Sequence, residues 1–419
     1  MELKIGNIEC SRLAKKYGTP LYVYDEANMT RIMTDYRENL KSNRFDTLVL
    51  FASKAFACME MYKLVNKNGL GSDVVSGGEL YAALKCGVNP QNIYFHGNNK
   101  SDLEIRSGIE AGVNFVCDSL DEAKTLDKIS NELKKNVNVL FRLNVGVEAH
   151  THKFIVTAHV DSKFGLLMDS DDLKEALKVV SDSKYLELVG FHSHIGSQIF
   201  ETDGFFAAID KLVAFYKNFD KKLILNIGGG FGVKYTDADK PIEPKVIAKM
   251  LIEHVEKTLD SNNVEISKLV IEPGRSIVAE SGYTLYTIGN IKQTPHKKYY
   301  FIDGGMADNI RPALYQAEYD AVVANKFDMP KTEEICLAGK CCESGDIIIE
   351  KIKMAKAEKG DIVCVFTTGA YGYSMSSHYN KAQTPAVVFV NNDKARVVIK
   401  RETYEDLYRN DVSEDYEAI

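Results

Sequence analysis

The fold of this chain is decided by an apolar stretch that ends in a lysine, Thr47-Leu48-Val49-Leu50-Phe51-Ala52-Ser53-Lys54. A short apolar run with aromatic and β-branched side chains is typical of a buried strand. Seven similar segments follow it, at residues 72–75, 92–96, 114–118, 137–144, 187–194, 223–228 and 268–272. The sequence therefore predicts eight strands before residue 281.

Segments with helical periodicity separate these strands, at residues 78–86, 121–134, 171–181, 204–218 and 243–259. Strand and helix alternate throughout this part of the chain. Eight such units are what a closed barrel requires, whereas an open doubly wound sheet more often has five to seven strands. The pattern therefore predicts an α/β fold of the (β/α)₈ TIM-barrel type.

The chain changes character after about residue 281, where strand-like segments follow one another without long helices. They lie at residues 283–291, 298–302, 346–351, 362–366, 386–390 and 396–400. A further strand candidate at residues 20–24 precedes the barrel. We therefore expect a barrel domain over residues 31–280, and a C-terminal all-β domain in which residues 1–30 join residues 281–419.

The composition excludes several classes of protein. A hydrophobic content of 45% with 26% charged residues is typical of a soluble globular protein, and no apolar run approaches the roughly 20 residues of a membrane helix. A net charge of −7 argues against a dedicated nucleic-acid binder. The eight cysteines form no C-x-x-C pair, and the N-terminus has no signal-peptide pattern. We expect a cytoplasmic protein with a small-molecule substrate, no membrane partner and no nucleic-acid partner.

The ends of three predicted strands hold residues with specific chemistry. Lys54 follows the first strand, where a lysine can form a Schiff base if its surroundings favour the neutral amine. The seventh strand is followed by Gly228-Gly229-Gly230-Phe231-Gly232, and the eighth ends in Glu272-Pro273-Gly274-Arg275. In a barrel the loops after these two strands commonly bind phosphate, because glycines let backbone N–H groups approach an anion. Together these residues predict a phosphate-bearing ligand.

Glu272 lies beside the predicted phosphate site, where a carboxylate is useful only if it faces a cation such as a protonated pyridine nitrogen. The sixth strand ends in His192-Ser193-His194, so its two imidazoles lie on one face. Such a pair either binds a metal, as in amidohydrolases, or places one ring flat on a cofactor. Amidohydrolases also need an aspartate on strand eight, where this chain has Glu272. We therefore predict no metal.

A lysine, a glycine-rich loop, a carboxylate and a ring-stacking histidine are the parts of a pyridoxal phosphate site. Over nearly its full length the chain resembles the diaminopimelate decarboxylases, alanine racemase-like enzymes with a barrel and a C-terminal β domain. The remaining matching motifs are residues 192–198, 306–315 (MADNIRPALY), 341–346 (CCESGD) and 369–373 (GAYGY). One departure is Phe56, since many relatives have Lys-Ala-Asn at the lysine motif, and we expect it to alter local packing only.

The resemblance implies a role for each matching cofactor residue. Lys54 would hold pyridoxal 5'-phosphate, His194 would stack on its ring, and Glu272 would pair with its ring nitrogen. The other cofactor-binding residues implied are Ser197, Gly228, Gly229, Gly230, Pro273, Gly274, Arg275 and Tyr371.

The resemblance also implies residues that act on the substrate. Cys342 would donate a proton to Cα after carbon dioxide has left, because a thiol is largely protonated near neutrality. A guanidinium suits bidentate capture of a distal carboxylate, and Glu343 would bind the distal ammonium. The substrate-binding residues implied are Arg275, Arg311, Tyr315, Glu343 and Tyr371. The family shares its sites across a homodimer, which implies that Cys342 and Glu343 come from the partner chain.

The activity implied by the resemblance is decarboxylation of meso-2,6-diaminopimelate to L-lysine and carbon dioxide, the last step of lysine biosynthesis. A related decarboxylase of ornithine, arginine or carboxynorspermidine is one alternative. Ornithine-type relatives typically have Cys-Asp-Gly where this chain has Cys342-Glu343-Ser344. A catalytically inactive regulatory homologue is the other alternative, and the presence of both Lys54 and Cys342 counts against it.

Overall fold

The chain folds into two compact units in a computed structural model that describes residues 1–147 and 162–412. One unit comprises Met29–Ile277, and the other joins Met1–Asn28 to Val278–Ile419. The boundaries expected from the sequence lie two or three positions further along the chain. No helix in the described ranges is both long enough and apolar enough to cross a membrane.

Twenty strands lie within the described ranges. In chain order they are β1 (Lys4–Ile5), β2 (Ile8–Glu9), β3 (Leu21–Asp25), β4 (Asp46–Ala52), β5 (Gly71–Val74), β6 (Ile93–Phe95), β7 (Asn114–Cys117), β8 (Val137–Asn144), β9 (Leu166–Leu167), β10 (Leu186–His192), β11 (Leu223–Asn226), β12 (Ile266–Ile271), β13 (Gly282–Gln293), β14 (Lys298–Ile302), β15 (Ala321–Val323), β16 (Glu333–Ala338), β17 (Ile347–Met354), β18 (Ile362–Val365), β19 (Ala386–Asn391) and β20 (Lys394–Ile399).

The same ranges contain twelve α-helices and five short 3₁₀ turns. The helices are α1 (Cys10–Tyr17), α2 (Glu26–Asn39), α3 (Met59–Lys67), α4 (Gly77–Lys85), α5 (Asp102–Ala111), α6 (Leu120–Leu133), α7 (Asp171–Asp182), α8 (Asp203–Tyr216), α9 (Pro244–Asn262), α10 (Arg275–Val278), α11 (Arg311–Tyr315) and α12 (Tyr404–Tyr408). The 3₁₀ turns are Ser53–Ala55, Pro90–Asn92, Ala324–Lys326, Tyr373–Met375 and Tyr379–Lys381.

The first unit contains a closed ring of eight parallel strands. β4, β5, β6, β7 and β8 pair in sequence order, and β10, β11 and β12 continue the ring. The ring closes because β12 pairs with β4 and β10 pairs with β8. The predicted (β/α)₈ barrel is therefore confirmed, with each of its eight predicted strands present.

Alternating side chains from strands around the ring pack together inside the barrel. They form one buried cluster, with members on β4, β6, β7, β8 and β12: Leu48, Leu50, Tyr94, Val116, Leu140 and Val270. Such layers fill the middle of a TIM barrel, so that it is a core and not a pore. Functional side chains are thereby confined to the ends of the strands.

Serine caps set the start of several outer helices. The hydroxyls of Ser76, Ser101, Ser119 and Ser170 each accept a hydrogen bond from a backbone N–H in the first turn of α4, α5, α6 and α7. Such caps satisfy donors that a helix start otherwise leaves unpaired. Ser76 and Ser119 follow β5 and β7 by only two residues, so the loops at the carboxyl ends of these two strands are short.

The second unit is built on a sheet whose strands run in the order β17, β16, β14, β13, β3, β19, β20. β18 also pairs with β13, and β15 pairs with β18. The N-terminal strand β3 lies between β13, to which it is antiparallel, and β19, to which it is parallel. Helix α1 packs against this sheet through the buried side chains of Cys10 and Leu13. The strand predicted at residues 20–24 thus joins the C-terminal sheet. The sequence did not predict β15 or β16.

A buried ion pair ties the barrel helix α6 to the loop that follows β6. Lys100 Nζ lies 2.6 Å from Glu122 Oε1, and only 1% and 8% of the two side chains are exposed. Lys100 also donates to the backbone oxygens of Gly97 and Val116. Burial raises the pKa of Glu122, against the charge of Lys100 and its hydrogen bonds. Lys100 therefore stabilises the charged form of the Glu122 carboxylate, whereas burial favours its protonated form.

We expect Lys100→Met to lower the free energy of unfolding by about 3–5 kcal/mol, because it leaves the buried carboxylate of Glu122 unpaired. The measurement is urea denaturation followed by circular dichroism. Lys124→Met is the matched control on α6, since Lys124 pairs with Glu175 on the exposed surface, with 50% and 56% of the side chains exposed. Equal unfolding midpoints for the two variants would contradict the expectation.

Candidate active site

Lys54 lies where the first barrel strand turns outward. β4 ends at Ala52, and the 3₁₀ turn Ser53–Ala55 presents the Lys54 side chain while Ser53 and Ala55 stay buried. The carboxyl ends of the parallel strands share one rim, the face on which TIM-barrel enzymes have their active sites. Phe56, the departure from the lysine motif, is fully buried and takes a place in the core.

Glu272 follows β12 at the same rim and is 6% exposed. Its Oε1 lies 2.7 Å from the Asn226 amide nitrogen and 2.9 Å from His96 Nε2. Its Oε2 lies 3.2 Å from His192 Nε2. The three partners come from the ends of β11, β6 and β10, so the closed ring is what brings them together. Three side chains thus donate to one buried carboxylate.

The charges in this cluster depend on one another. Burial opposes the charge of Glu272, but His96 and His192 outweigh it and hold the pKa of the carboxyl well below its usual range. Burial also opposes a charge on His96, yet Asp73 and Glu272 raise the pKa of this imidazole. For His192 burial wins and lowers its pKa to about 4. The arrangement is therefore an anionic Glu272 between a cationic His96 and a neutral His192.

His192 and His194, the candidate metal pair, face different partners. His192 contacts Glu272, whereas Nδ1 of His194 accepts a bond of 3.4 Å from the Gly229 backbone N–H. Burial, with the positive charges of Lys54 and Arg142, lowers the pKa of His194 well below its usual value. A neutral ring beside the glycine loop is suited to stacking.

Another trio, His96, His192 and Glu272, has ligand atoms that all lie within 4.8 Å of one another. Among the residues that the structure describes, these three ligand atoms are thus close enough together to bind one metal ion. The same atoms form direct hydrogen bonds, however, and an anionic Glu272 with both oxygens already engaged equally suits an organic N–H donor.

The glycine run after β11 packs against the ends of the neighbouring strands. A side chain on Gly229 would place its Cβ 2.1 Å from the Glu272 carbonyl oxygen, and one on Gly230 would lie 2.3 Å from the Gly196 carbonyl oxygen. Gly230 also has a φ of +113°, in the region that favours glycine. The backbone of this loop therefore packs directly against the residues that follow β10 and β12, at a distance that only glycine allows.

Arg275 connects the two loops predicted to bind phosphate. Its Nη2 donates to the Ser197 hydroxyl at 3.0 Å, and its Nη1 donates to the Tyr235 hydroxyl at 2.6 Å. Pro273 and Gly274 lie against the end of β4, where the Ala52 N–H donates to the Pro273 carbonyl. The structure thus gathers Ser197, the glycine run and Arg275 at one rim.

The other predicted site residues belong to the sheet unit. Arg311 begins α11, is buried, and donates to the Tyr319 hydroxyl at 2.6 Å, while Tyr315 at the end of the same helix is exposed. Cys342 and Glu343 are exposed on the loop after β16. Tyr371 is partly buried and has a φ of +58°.

A buried aspartate fixes the loop that contains Cys342. Asp346 accepts from the Met306 N–H at 2.6 Å and from the Cys341 N–H at 2.7 Å. One carboxylate thus ties the start of the 306–315 motif to the residue before the thiol. Asp346 was noted in the sequence only as the last residue of a motif.

The sequence did not identify His96, Asp73, Asn226 or Tyr235 as site residues. His96 closes the segment predicted at 92–96, and Asp73 and Asn226 also lie near the carboxyl ends of predicted strands. A polar side chain near the end of a buried strand was therefore the signal that could have identified these three residues as site residues. Tyr235 lies in an irregular loop, and nothing in the sequence around it distinguishes it.

Comparison with known proteins defines the class of this site. Residues 26–279 match the pyridoxal binding domain of the pyridoxal-dependent decarboxylases. The rim residues fit this cofactor, because the glycine run leaves room for a phosphate and Glu272 keeps an acceptor position for a ring N–H. The protein is thus a pyridoxal-dependent decarboxylase, an amino-acid carboxy-lyase that uses pyridoxal 5'-phosphate.

More similar relatives narrow the class. The chain is 43% identical to a diaminopimelate decarboxylase from Bacillus subtilis over 420 residues, which cover 98% of this chain and 95% of the relative. A structure of diaminopimelate decarboxylase from M. jannaschii superposes with a TM-score of 0.92 at 35% identity, covering 99% of this chain and 98% of that chain. The M. jannaschii enzyme in complex with L-lysine gives a TM-score of 0.91. The chain belongs to the diaminopimelate decarboxylase family.

We expect Gly229→Ala to weaken binding of pyridoxal 5'-phosphate by about tenfold or more, close to 1.4 kcal/mol, because the new Cβ displaces the loop from Glu272. The measurement is titration of the cofactor-free protein, followed by absorbance. Gly78→Ala is the control, since the nearest atom to its Cβ would be the Ser76 hydroxyl at 3.8 Å. Unchanged affinity in Gly229→Ala would contradict a phosphate role for this loop.

Proposed function

We propose that this protein decarboxylates meso-2,6-diaminopimelate to L-lysine and carbon dioxide, the last step of lysine biosynthesis. The observation that supports it most strongly is the combination of near full-length similarity to diaminopimelate decarboxylases with an anionic Glu272 at the barrel rim. The L-lysine bound to the M. jannaschii relative is the same compound as the proposed product.

The barrel residues would hold the cofactor in this proposal. Pyridoxal 5'-phosphate, when bound, supplies a ring that takes up the electron pair left on Cα when carbon dioxide departs. Lys54 would provide the amine for its aldehyde, Glu272 would accept a hydrogen bond from its ring nitrogen, and neutral His194 would contact its ring. The phosphate-binding residues are Ser197, the glycines at positions 228–230, and the turn from Pro273 to Arg275.

The residues proposed to bind the substrate recognise the amino-acid group at its distal end. Arg275 and Arg311 bind the distal carboxylate with Tyr315, Glu343 binds the distal ammonium, and Tyr371 lines the site. Cys342 donates a proton to Cα, and its exposure on a loop held by Asp346 supports access to a substrate atom. A substrate without the distal carboxylate lacks the anion that these guanidinium groups would bind, which weakens its binding.

We expect purified protein with pyridoxal 5'-phosphate to release carbon dioxide from meso-diaminopimelate with a kcat/KM about 10⁴-fold or more above that for L-lysine or L-ornithine. The measurement is carbon dioxide release with each substrate, together with detection of L-lysine. Lys54→Ala should abolish the reaction, with Lys67→Ala on α3 as the matched control. Release from ornithine, arginine or carboxynorspermidine alone would overturn the substrate, and no release from any of them would favour a regulatory role.

We also propose that the enzyme acts as a homodimer in which the partner chain supplies Cys342 and Glu343. Both residues are exposed, and the neighbouring helix α11 exposes 55% of Leu314 and 62% of Tyr315. Exposed apolar side chains of this kind are common at protein interfaces.

Mixing two inactive variants tests this assembly. Lys54→Ala and Cys342→Ala chains should recover about 25% of wild-type activity when refolded together, because half of the dimers are mixed and each mixed dimer has one intact site. The measurement is carbon dioxide release after mixing, with sedimentation to establish the dimer. Absence of recovery, or full activity in a monomer, would contradict sharing of the site.

The proposed compartment is the cytoplasm. All eight cysteines are free thiols, including the four buried ones, Cys10, Cys117, Cys336 and Cys364. Thiols persist unpaired in reducing compartments.

A further inference from the structure

His96 is a buried imidazole that faces two carboxylates. It follows β6 and is 6% exposed. Its Nε2 lies 2.9 Å from Glu272 Oε1 and 3.7 Å from Asp73 Oδ1. The Asp73 oxygen is itself buried without a hydrogen-bond partner among the described residues. The His96 nitrogen is therefore the polar atom that separates two buried acids.

The hydrogen bonds of Glu272 leave one acceptor position. A carboxylate has about four acceptor positions on its two oxygens. Oε1 takes two donors, from Asn226 and His96, and Oε2 takes one, from His192. The remaining position is on Oε2. Three fixed donors exclude a proton on the carboxyl and orient its last free position.

Only one of these donors carries a charge. Asn226 cannot ionise, and burial keeps His192 neutral, with a pKa of about 4. His96 has a raised pKa, because Asp73 and Glu272 outweigh the effect of burial. Other ionisable groups act on this cluster from the surrounding elements: Arg142 on β8, Lys54 after β4, Tyr94 on β6, Tyr62 on α3, Glu79 on α4 and His194 after β10. Among the three side chains that donate to Glu272, His96 supplies the compensating charge.

We propose that His96, supported by Asp73, is a positioning residue that keeps Glu272 anionic and oriented, so that the ring nitrogen of the cofactor stays protonated. His96 contacts neither the substrate nor the cofactor in this inference and acts through Glu272. The inference rests on the proposed role of Glu272, and it adds a requirement for a buried cation behind that carboxylate.

Two substitutions separate the charge of His96 from its hydrogen bond. His96→Gln keeps an N–H donor near the Nε2 position and removes the charge, whereas His96→Phe removes both. Burial raises the pKa of Asp73, and its carboxylate raises the pKa of His96, so Asp73→Asn removes a group that favours the imidazolium. His192→Gln is the matched control, because it replaces a neutral donor to the same carboxylate. Circular dichroism checks that each variant folds.

The main readout is the ¹⁵N chemical shift of pyridoxal 5'-phosphate labelled at the ring nitrogen and bound to each variant, which distinguishes a protonated from a neutral ring. We expect a protonated ring in the wild type and in His192→Gln. Protonation should fall in His96→Gln and His96→Phe, and in the same direction but less in Asp73→Asn. This result would show that the charge of His96, and not its hydrogen bond alone, keeps the ring nitrogen protonated.

The pH profile of kcat gives a second readout with a definite sign. Glu272 has a depressed pKa, so it stays anionic until the pH falls far below neutrality. Without the His96 charge, burial raises this pKa, and the acid limb of kcat moves upward by about one unit or more, a tenfold loss at pH values below it. KM should change much less than kcat, because the ring nitrogen is remote from the distal head of the substrate.

The outcomes separate this inference from the proposed function. A ring that stays protonated in His96→Phe, with an unmoved acid limb, would overturn the role of His96 and leave only packing. A neutral ring in the wild type would overturn the role of Glu272 itself. A shift in ring protonation without carbon dioxide release from diaminopimelate would support the role of His96 and reject the proposed substrate.

Discussion

The structure depends on one buried carboxylate and the groups that keep it charged. Transfer of an ion from water to a protein interior is unfavourable by several kcal/mol unless partners compensate it. Glu272 receives this compensation from His96, His192 and Asn226, which lie at the ends of three strands. β10 and β11 lie beside β12 in the sheet, whereas β6 is separated from β12 by β4 and β5, so the curvature of the barrel brings His96 to Glu272. Closure of the ring and ionisation of the site are therefore linked.

The same closure explains the close packing of the glycine run. Gly229 and Gly230 lie against the backbones of β12 and of the loop after β10, where no side chain fits. Arg275 then bridges to Ser197 and Tyr235. The rim is therefore a set of backbone and side-chain contacts between neighbouring strand ends.

Much of the architecture could be predicted because strands buried on both faces give continuous apolar runs. β4 and β6 follow this rule, and the N-terminal strand β3 of the sheet unit does as well, whereas β5 contains Ser72 and Asp73. β15 and β16 were not predicted, since β15 has three residues and β16 begins with Glu333 and Glu334. Helix α12 lies in the acidic tail, where Thr403 and Asp406 form a capping box that composition does not reveal.

The site was predicted unevenly for a physical reason. Lys54, Glu272 and the glycine run have unusual residue types for their positions, so each is visible locally. His96 and Asp73 are ordinary at a strand end, and the importance of His96 comes from Glu272, which is 176 residues away in the sequence. Contacts of that separation follow from the topology and not from any local pattern.

The position of β3 has a consequence for synthesis of the chain. This strand is made first among the long strands of its sheet, yet its partners β13 and β19 begin at Gly282 and Ala386. Residues 29–277 form a compact unit of their own and leave the ribosome in between. Domains generally fold as units during synthesis. The barrel can therefore fold before β13 and β19 are available to pair with β3. Until residues 386–390 have emerged, at least one edge of the apolar strand β3 stays unpaired, and an unpaired strand edge makes a nascent chain prone to aggregation.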